Sequence, residues 1–266
     1  MAITTFIPKI WSARLLEKLN RKLVFGSLVN RNYEGEILQY GDTVHINSLE
    51  DITVKAYTPN SDIDAPEQLT TTANSLVIDH GAYYNFYVDD VDKVQARADL
   101  IDAAMENASR RLAEDTEAYI LEKIIEGAGT KTSAATTGGI YELIVMLKMA
   151  LDEKNVPRTG RKLVVPAAVE AELLLDQRFI TGTESGNDRL ENGMVGRAAG
   201  FEIYISNLLT DKMVALNMEG VTFAQQLTEI EAYRPEKKFA DGVKGLALCG
   251  AKVVQPDVVV VHTLTA

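Results

Sequence analysis

Cysteine is nearly absent from this 266-residue chain: Cys249 stands alone, so no intrachain disulfide framework can hold the fold. Histidine is almost as scarce, and His45, His80 and His262 are too few and too scattered for a Cys/His zinc module. No apolar run approaches the roughly 20 residues that a bilayer-spanning helix needs. Residues 1–8 (MAITTFIP) lack the basic start and long apolar core of an export signal. Positive charge is also in short supply. Lys and Arg total 27 against 38 Asp and Glu, a net charge of −11, which argues against a protein whose main task is to coat nucleic acid. These absences point to a soluble protein of a reducing cytoplasm, with no membrane partner.

What is present is a globular composition, 46% hydrophobic and 24% charged. The length suits one large domain or two modest ones, able to bury about three quarters of the surface of the unfolded chain. The charge is unevenly placed. Residues 1–31 carry Lys9, Arg14, Lys18, Arg21, Lys22 and Arg31 against Glu17, a net of +5, which leaves −16 on the remainder. Residues 89–117 hold nine acids and four bases, a net of −5. Two solvated faces would explain this, and so would a basic arm lying near an acidic face of the same or a neighbouring copy.

Trp11, Leu15, Leu16, Leu19 and Leu23 fall on one stripe at helical spacing, predicting an amphipathic helix over 11–25 that Gly26 ends. Residues 35–48 and 75–90 read as strands, the second with Tyr84, Phe86 and Val88 on one face. The polar stretch 49–74 between them makes a long two-stranded excursion. A lone hairpin of this kind is marginal in water, and its open edges invite pairing with other chains. Residues 99–126 are the clearest helix, with Ile101, Ala104, Met105, Ala108, Leu112, Tyr119, Ile120 and Ile124 in one stripe and Asp99 as its N-cap. At a rise of 1.5 Å per residue it spans roughly 42 Å, the length of a strut. A flexible joint follows at 127–139. Helix 140–155, strand 161–166, helix 167–176, a loop at 180–193 and strands 201–206 and 213–217 then predict a small α/β or α+β domain. Segments 229–235, 243–256 and 257–264 close the chain. The valines of the last suit a strand buried on both faces that rejoins an earlier sheet.

Chemical motifs are thin. The glycine-rich GAGTKT lacks the Gly-Lys pair of a phosphate loop and follows a helix rather than a strand. Gly193, Gly196 and Gly200 have the wrong spacing for a dinucleotide fingerprint. Asp89, Asp90 and Asp92 lack the central glycine and later glutamate of a calcium loop, and acids ahead of a helix favour its positive end. Asp79-His80 has no nucleophile-bearing turn beside it, and Cys249 between Leu248 and Gly250 reads as a small buried hydrophobe. No catalytic residue, metal ligand or cofactor site is expected. A strut, an exposed hairpin, a basic arm and one compact domain describe something that assembles.

Residues 7–37 (IPKIWSARLLEKLNRKLVFGSLVNRNYEGEI) followed by YGDTVHIN (40–47) resemble the opening of tailed-phage (Caudovirales-type) major capsid, or coat, proteins. SLVIDHGAYYNFYVDDVDKVQA (75–96), DAAMENASRRLAEDTEAYI (102–120), GRAAGFEIYISN (196–207) and DGVKGLALCGAKVVQPD (241–257) are similar to later stretches of that family. The resemblance implies an α+β chain with the Hong-Kong-97-like phage capsid fold. It places an N-terminal arm at 1–32 and an extended β-hairpin loop at 33–88. A peripheral domain, with a long spine helix and closing sheet, would comprise 89–128 and 232–266. A linker at 129–139 and an axial domain at 140–231 complete it. The implied function is self-assembly into pentamers and hexamers of an icosahedral shell that encloses double-stranded DNA without binding it specifically. Its partners would be copies of itself, a separate scaffolding protein and a portal, in a virion assembled in the host bacterial cytoplasm. Candidate assembly contacts are Trp11, Leu15 and Leu19 of the arm and Tyr57, Ile63 and Leu69 of the loop. No residues match a Lys–Asn crosslinking motif. The alternatives are an encapsulin-like shell with protein cargo, a soluble α/β enzyme with Asp176 as base, and a decoration or tail component.

Overall fold

The computed structural model describes residues 24–33, 41, 43–49, 52–54, 56–57, 59, 62, 65–68, 71–89, 99–133, 139–176, 196–236 and 239–264. In chain order the elements are α1 (Phe25–Leu28), β1 (Thr43–Leu49), β2 (Thr71–Val77), β3 (His80–Asp89), α2 (Asp99–Gly127), β4 (Thr130–Thr132), α3 (Ile140–Glu153) and β5 (Arg161–Val165). They continue with α4 (Ala167–Leu175), β6 (Gly196–Ala198), β7 (Phe201–Ile205), β8 (Lys212–Asn217), β9 (Val221–Tyr233), β10 (Ala240–Val253) and β11 (Val259–Thr263). The strands form three sheets: β1-β2, β3-β10-β9 and β4-β11-β8-β5-β7-β6. None of the helices among the described residues is long and apolar enough to cross a membrane.

Helix α2 organises the molecule. Its 29 residues extend about 44 Å at the α-helical rise, and its apolar stripe is shared between two clusters. Met105, Leu112 and Ala113 pack on Val243 and Ala247 of β10, with Tyr84 and Phe86 of β3 alongside. Further along, Tyr119, Ile120, Leu121 and Ile124 enter the main core. That core joins Leu143, Ile144, Leu147 and Leu151 of α3, Val169 and Leu173 of α4, and the central strands of the six-stranded sheet. Val259, Val260 and Val261 are buried there between β4, which runs parallel, and β8, which runs antiparallel. The valine run therefore rejoins a sheet, but the sheet is the one built from strands of the 140–217 region rather than the peripheral-domain sheet that the resemblance implies for 232–266.

Several expectations need correction. The strand-like run 75–90 serves two sheets: β2 pairs with β1, the chain breaks step at Ile78-Asp79, and β3 pairs with β10. Gly250 permits this crossing, because a Cβ there would run into the Val77 carbonyl oxygen. The joint at 127–139 contains β4, whose three residues pair with Val260–His262, and Thr132 Oγ1 lies 2.9 Å from His262 Nδ1. Gly26 lies inside α1 rather than ending a helix, and Asp99 is the first helical residue rather than the cap before it. Most of the helix expected at 11–25 and the loop at 180–193 fall outside the described residues.

A buried arginine clasps the α3–β5 connection. Arg161 Nε donates to the Pro157 carbonyl at 3.0 Å and Nη1 pairs with Asp152 at 2.7 Å. The Arg161 hydrogen bond, ahead of the charges of Arg161 and Arg158, holds the Asp152 carboxyl below the usual carboxylate range. A native pKa below the unfolded one contributes stability that is present above the unfolded value and lost as pH falls through the native one. Asp152→Asn is therefore expected to flatten the acid limb of the stability profile across that window. Urea unfolding at stepped pH reads this, and an acid limb matching wild type would remove the pairing from the account.

Candidate assembly surface

The hairpin is built in two parts. At its base, Val44 and Ile46 of β1 and Leu76 and Ile78 pack on Ala224 of β9 and Leu248 of β10. Lys252 Nζ donates to the Ser75 carbonyl at 2.8 Å. Beyond the last ladder pair, Leu49 with Thr71, the two limbs stay together. Thr53 N–H and Oγ1 donate to the Glu67 carboxylate at 3.1 and 3.3 Å. Three apolar side chains here stand mostly in solvent: Ile52 is 67%, Val54 93% and Tyr57 74% exposed. Three exposed apolar groups between Ile52 and Tyr57 mark a candidate contact surface.

Where the hairpin meets the body, polar groups fix its angle to α2. Asp79 accepts a short hydrogen bond from Tyr119 Oη and lies 3.8 Å from Lys123 Nζ. His80 Nε2 is 2.7 Å from Asp115, and the His80 ring stacks on Tyr119 with centroids 4.4 Å apart. Burial, and then the Asp79 bond, raise the Tyr119 pKa, so its phenol stays a donor. Cys249, opposite His80 in the β3–β10 ladder, is pushed up to about 12 by burial and by Asp115 and Asp79. A thiol so raised is a poor nucleophile. The cysteine, histidine and aspartates therefore meet as a structural clasp at the foot of the hairpin.

A second surface lies on the three-stranded sheet. Side chains alternate across a strand, so while Ala82, Tyr84 and Phe86 face α2, Tyr83, Asn85 and Tyr87 face away. Tyr84 lies flat over Gly245, its cross-strand neighbour, where any Cβ would strike the ring; burial pushes its phenol up to about 12. On the outer face Tyr83 is 78% exposed and Tyr87 and Leu246 are also open to solvent. Tyr233 Oη donates to Asn85 Oδ1 at 2.7 Å, and Lys244 pairs with Glu231 at 2.7 Å. A shallow depression of about 260 Å³ runs between Tyr83, Asn85, Glu231, Lys244 and Leu246. Separate exposed apolar groups, Val145 and Met149 on α3 and Leu174 and Leu175 on α4, mark the far side of the main core.

A family model described as phage capsid protein matches residues 71–262. The chain belongs to the phage capsid protein family. The capsid protein is similar over its length to a solved structure from Mycobacterium phage Che8, at 30% identity, 90% coverage of each chain and a TM-score of 0.75. It shares the fold of the capsid structure of cyanophage P-SCSP1u, at 14% identity over 91% of this chain and 88% of that one, with a TM-score of 0.73. A chain from the mature capsid of bacteriophage PhiM1 matches at 16% identity over 84% and 82%, with a TM-score of 0.64. No curated protein sequence matches the capsid protein. The fold is the Hong-Kong-97-like α+β fold, and the chain is a major capsid protein, a structural component of the virion that self-assembles into a shell.

Of the six assembly residues expected from sequence, Tyr57 is described and stands exposed on the loop. Trp11, Leu15, Leu19, Ile63 and Leu69 lie outside the described residues. Asp176, the base considered for an enzyme, follows the last turn of α4, its N–H bonded to the Glu172 and Leu173 carbonyls. Sequence reasoning missed Ile52 and Val54, although both interrupt a polar stretch. It also missed the outer tyrosines, whose signal was aromatic residues on both faces of one strand.

Proposed function

We propose that the capsid protein forms the pentamers and hexamers of an icosahedral shell around double-stranded DNA, with the hairpin of each copy seated on the outer face of the β3-β10-β9 sheet of its neighbour. The observation that carries this is the apolar loop group Ile52, Val54 and Tyr57, left in water by its own chain. The tyrosine face offers a receiving surface of the aromatic-rich kind enriched in interfaces. On that reading the arm is 1–32, the extended loop 33–88, and the peripheral domain 89–128 with 232–266, from which β11 (Val259–Thr263) crosses into the six-stranded sheet of the 140–217 region. The axial domain is 140–231, reached through 129–139, and the exposed groups of α3 and α4 meet around the symmetry axes. The boundary at 231/232 falls within β9, so the two domains share a continuous strand. Head-to-tail contacts that close on rotation make rings, and rings tile into a shell. The net charge of −11 suits a container that holds DNA without gripping it. A scaffolding protein and a portal complete the partners, with assembly in the bacterial cytoplasm.

Negative-stain imaging of the purified protein is expected to show closed icosahedral particles. A monodisperse small oligomer under all assembly conditions would overturn the proposal. Nuclease treatment of particles from the producing phage should leave protected DNA; particles containing only protein would overturn the DNA part.

A further inference from the structure

Glu117 sits in the middle of α2, only 5% exposed, on the stripe that otherwise carries Ala113, Ile120 and Ile124. A buried carboxylate in such a place is costly unless something requires it. Its two oxygens are both engaged by one distant segment. Oε2 accepts the Phe25 N–H at 3.0 Å and Oε1 the Gly26 N–H at 3.1 Å. Burial pushes its pKa up in spite of these bonds and one from the Val24 N–H. Helix α1 has no side-chain cap of its own, so the donors that a helix start leaves open are satisfied from 91 and 92 residues away. The segment is then tied at its other end. Phe25, Leu28 and Val29 are buried, Asn30 N–H donates to the Val221 carbonyl, and Phe223 N–H donates to the Asn30 carbonyl, each at 2.9 Å. The Arg31 guanidinium lies 5.8 Å from the Phe223 ring centroid.

A local Ser, Thr or Asp cap would have served α1 alone. A remote bidentate carboxylate does something else: it ties residues 25 and 26 to one point on α2. We infer that Glu117 is a positioning residue for assembly: by holding residues 24–26 against α2 it fixes the point from which the preceding basic segment, net +4 over residues 1–23, is offered to a second copy of the chain. This rests on the assembly reading above and assigns it a residue buried within the subunit.

The test compares Glu117→Ala and Glu117→Gln with Met105→Ala, a buried α2 residue in the other apolar cluster. Hydrogen exchange of the free subunit, thermal unfolding, and shell yield by sedimentation are read on each full-length chain. Glu117→Ala is expected to lower protection of the Phe25 and Gly26 amides at least tenfold. Shell yield should fall at least tenfold as well, well beyond the loss shown by Met105→Ala at a matched drop in melting temperature. Glu117→Gln, which keeps the shape and one acceptor, should fall between Glu117→Ala and wild type. Wild-type yield from the Glu117 variants would overturn the inference, and so would a loss that only tracks melting temperature as in Met105→Ala. If Glu117→Ala does not fold, Glu117→Gln decides by the same comparison. A wild-type chain that forms no shells would sink the assembly proposal itself, which is a separate result.

Discussion

Replacing Ile52, Val54 and Tyr57 together by serine is expected to yield a folded subunit that closes no shells. All three side chains are mostly in solvent in the single chain, so removing them subtracts little from the fold; surface changes away from special features usually fall within about 0.5 kcal/mol. In the shell each would be covered, and full burial of a large apolar side chain is worth about 1.5–3 kcal/mol. Three together exceed the roughly 1.4 kcal/mol that changes an association constant tenfold, and the loss recurs at every copy. Sedimentation and imaging should show subunits or small oligomers where wild type shows particles, with an unchanged melting curve. Particles at wild-type yield would remove the loop from the contact.

Phe223→Ala is expected to give the opposite pattern, a large loss of subunit stability. Its ring is fully buried in the main core, below Arg31 and beside the tie between Asn30 and β9. Phe→Ala in a packed core costs about 3–5 kcal/mol, which in a chain of this size lowers the melting temperature by on the order of 10 °C. Tyr83→Ala, on the exposed outer face of the same β3-β10-β9 sheet, should leave melting unchanged. Thermal unfolding of the free subunits separates the two, and a Phe223→Ala loss under about 1 kcal/mol would mean that this junction collapses to fill its cavity.

The parts of the fold that could be read in the sequence are those whose signal is local. The stripe ending in Tyr119, Ile120 and Ile124 marks α2 because helical spacing repeats over many turns. The run Val259–Val261 reads as a strand covered on both faces, and it is. What could not be read depends on partners distant in the chain. Thr130–Thr132 is a strand because Val260–His262 lies beside it. The division of 75–90 between two sheets is invisible because alternation continues through Ile78 and Asp79 while the hydrogen-bond partner changes from β1 to β10. The surface was half legible: protrusion of the hairpin follows from its polar texture, but the outward tyrosines are distinguished from Tyr84 and Phe86 only once the position of α2 is known. Glu117 carried a weak mark, a carboxylate in step with apolar neighbours.

Because only Ile78 and Asp79 separate β2 from β3 and this joint is bolted to α2 by Asp79 and His80, the hairpin is built as a lever with its fulcrum on the long helix. In the proposed shell, a push on the loop by an adjoining copy would reach the helix as torque through two residues of chain. Strain at one seam of such a container would thereby be handed to the long helix of the next subunit.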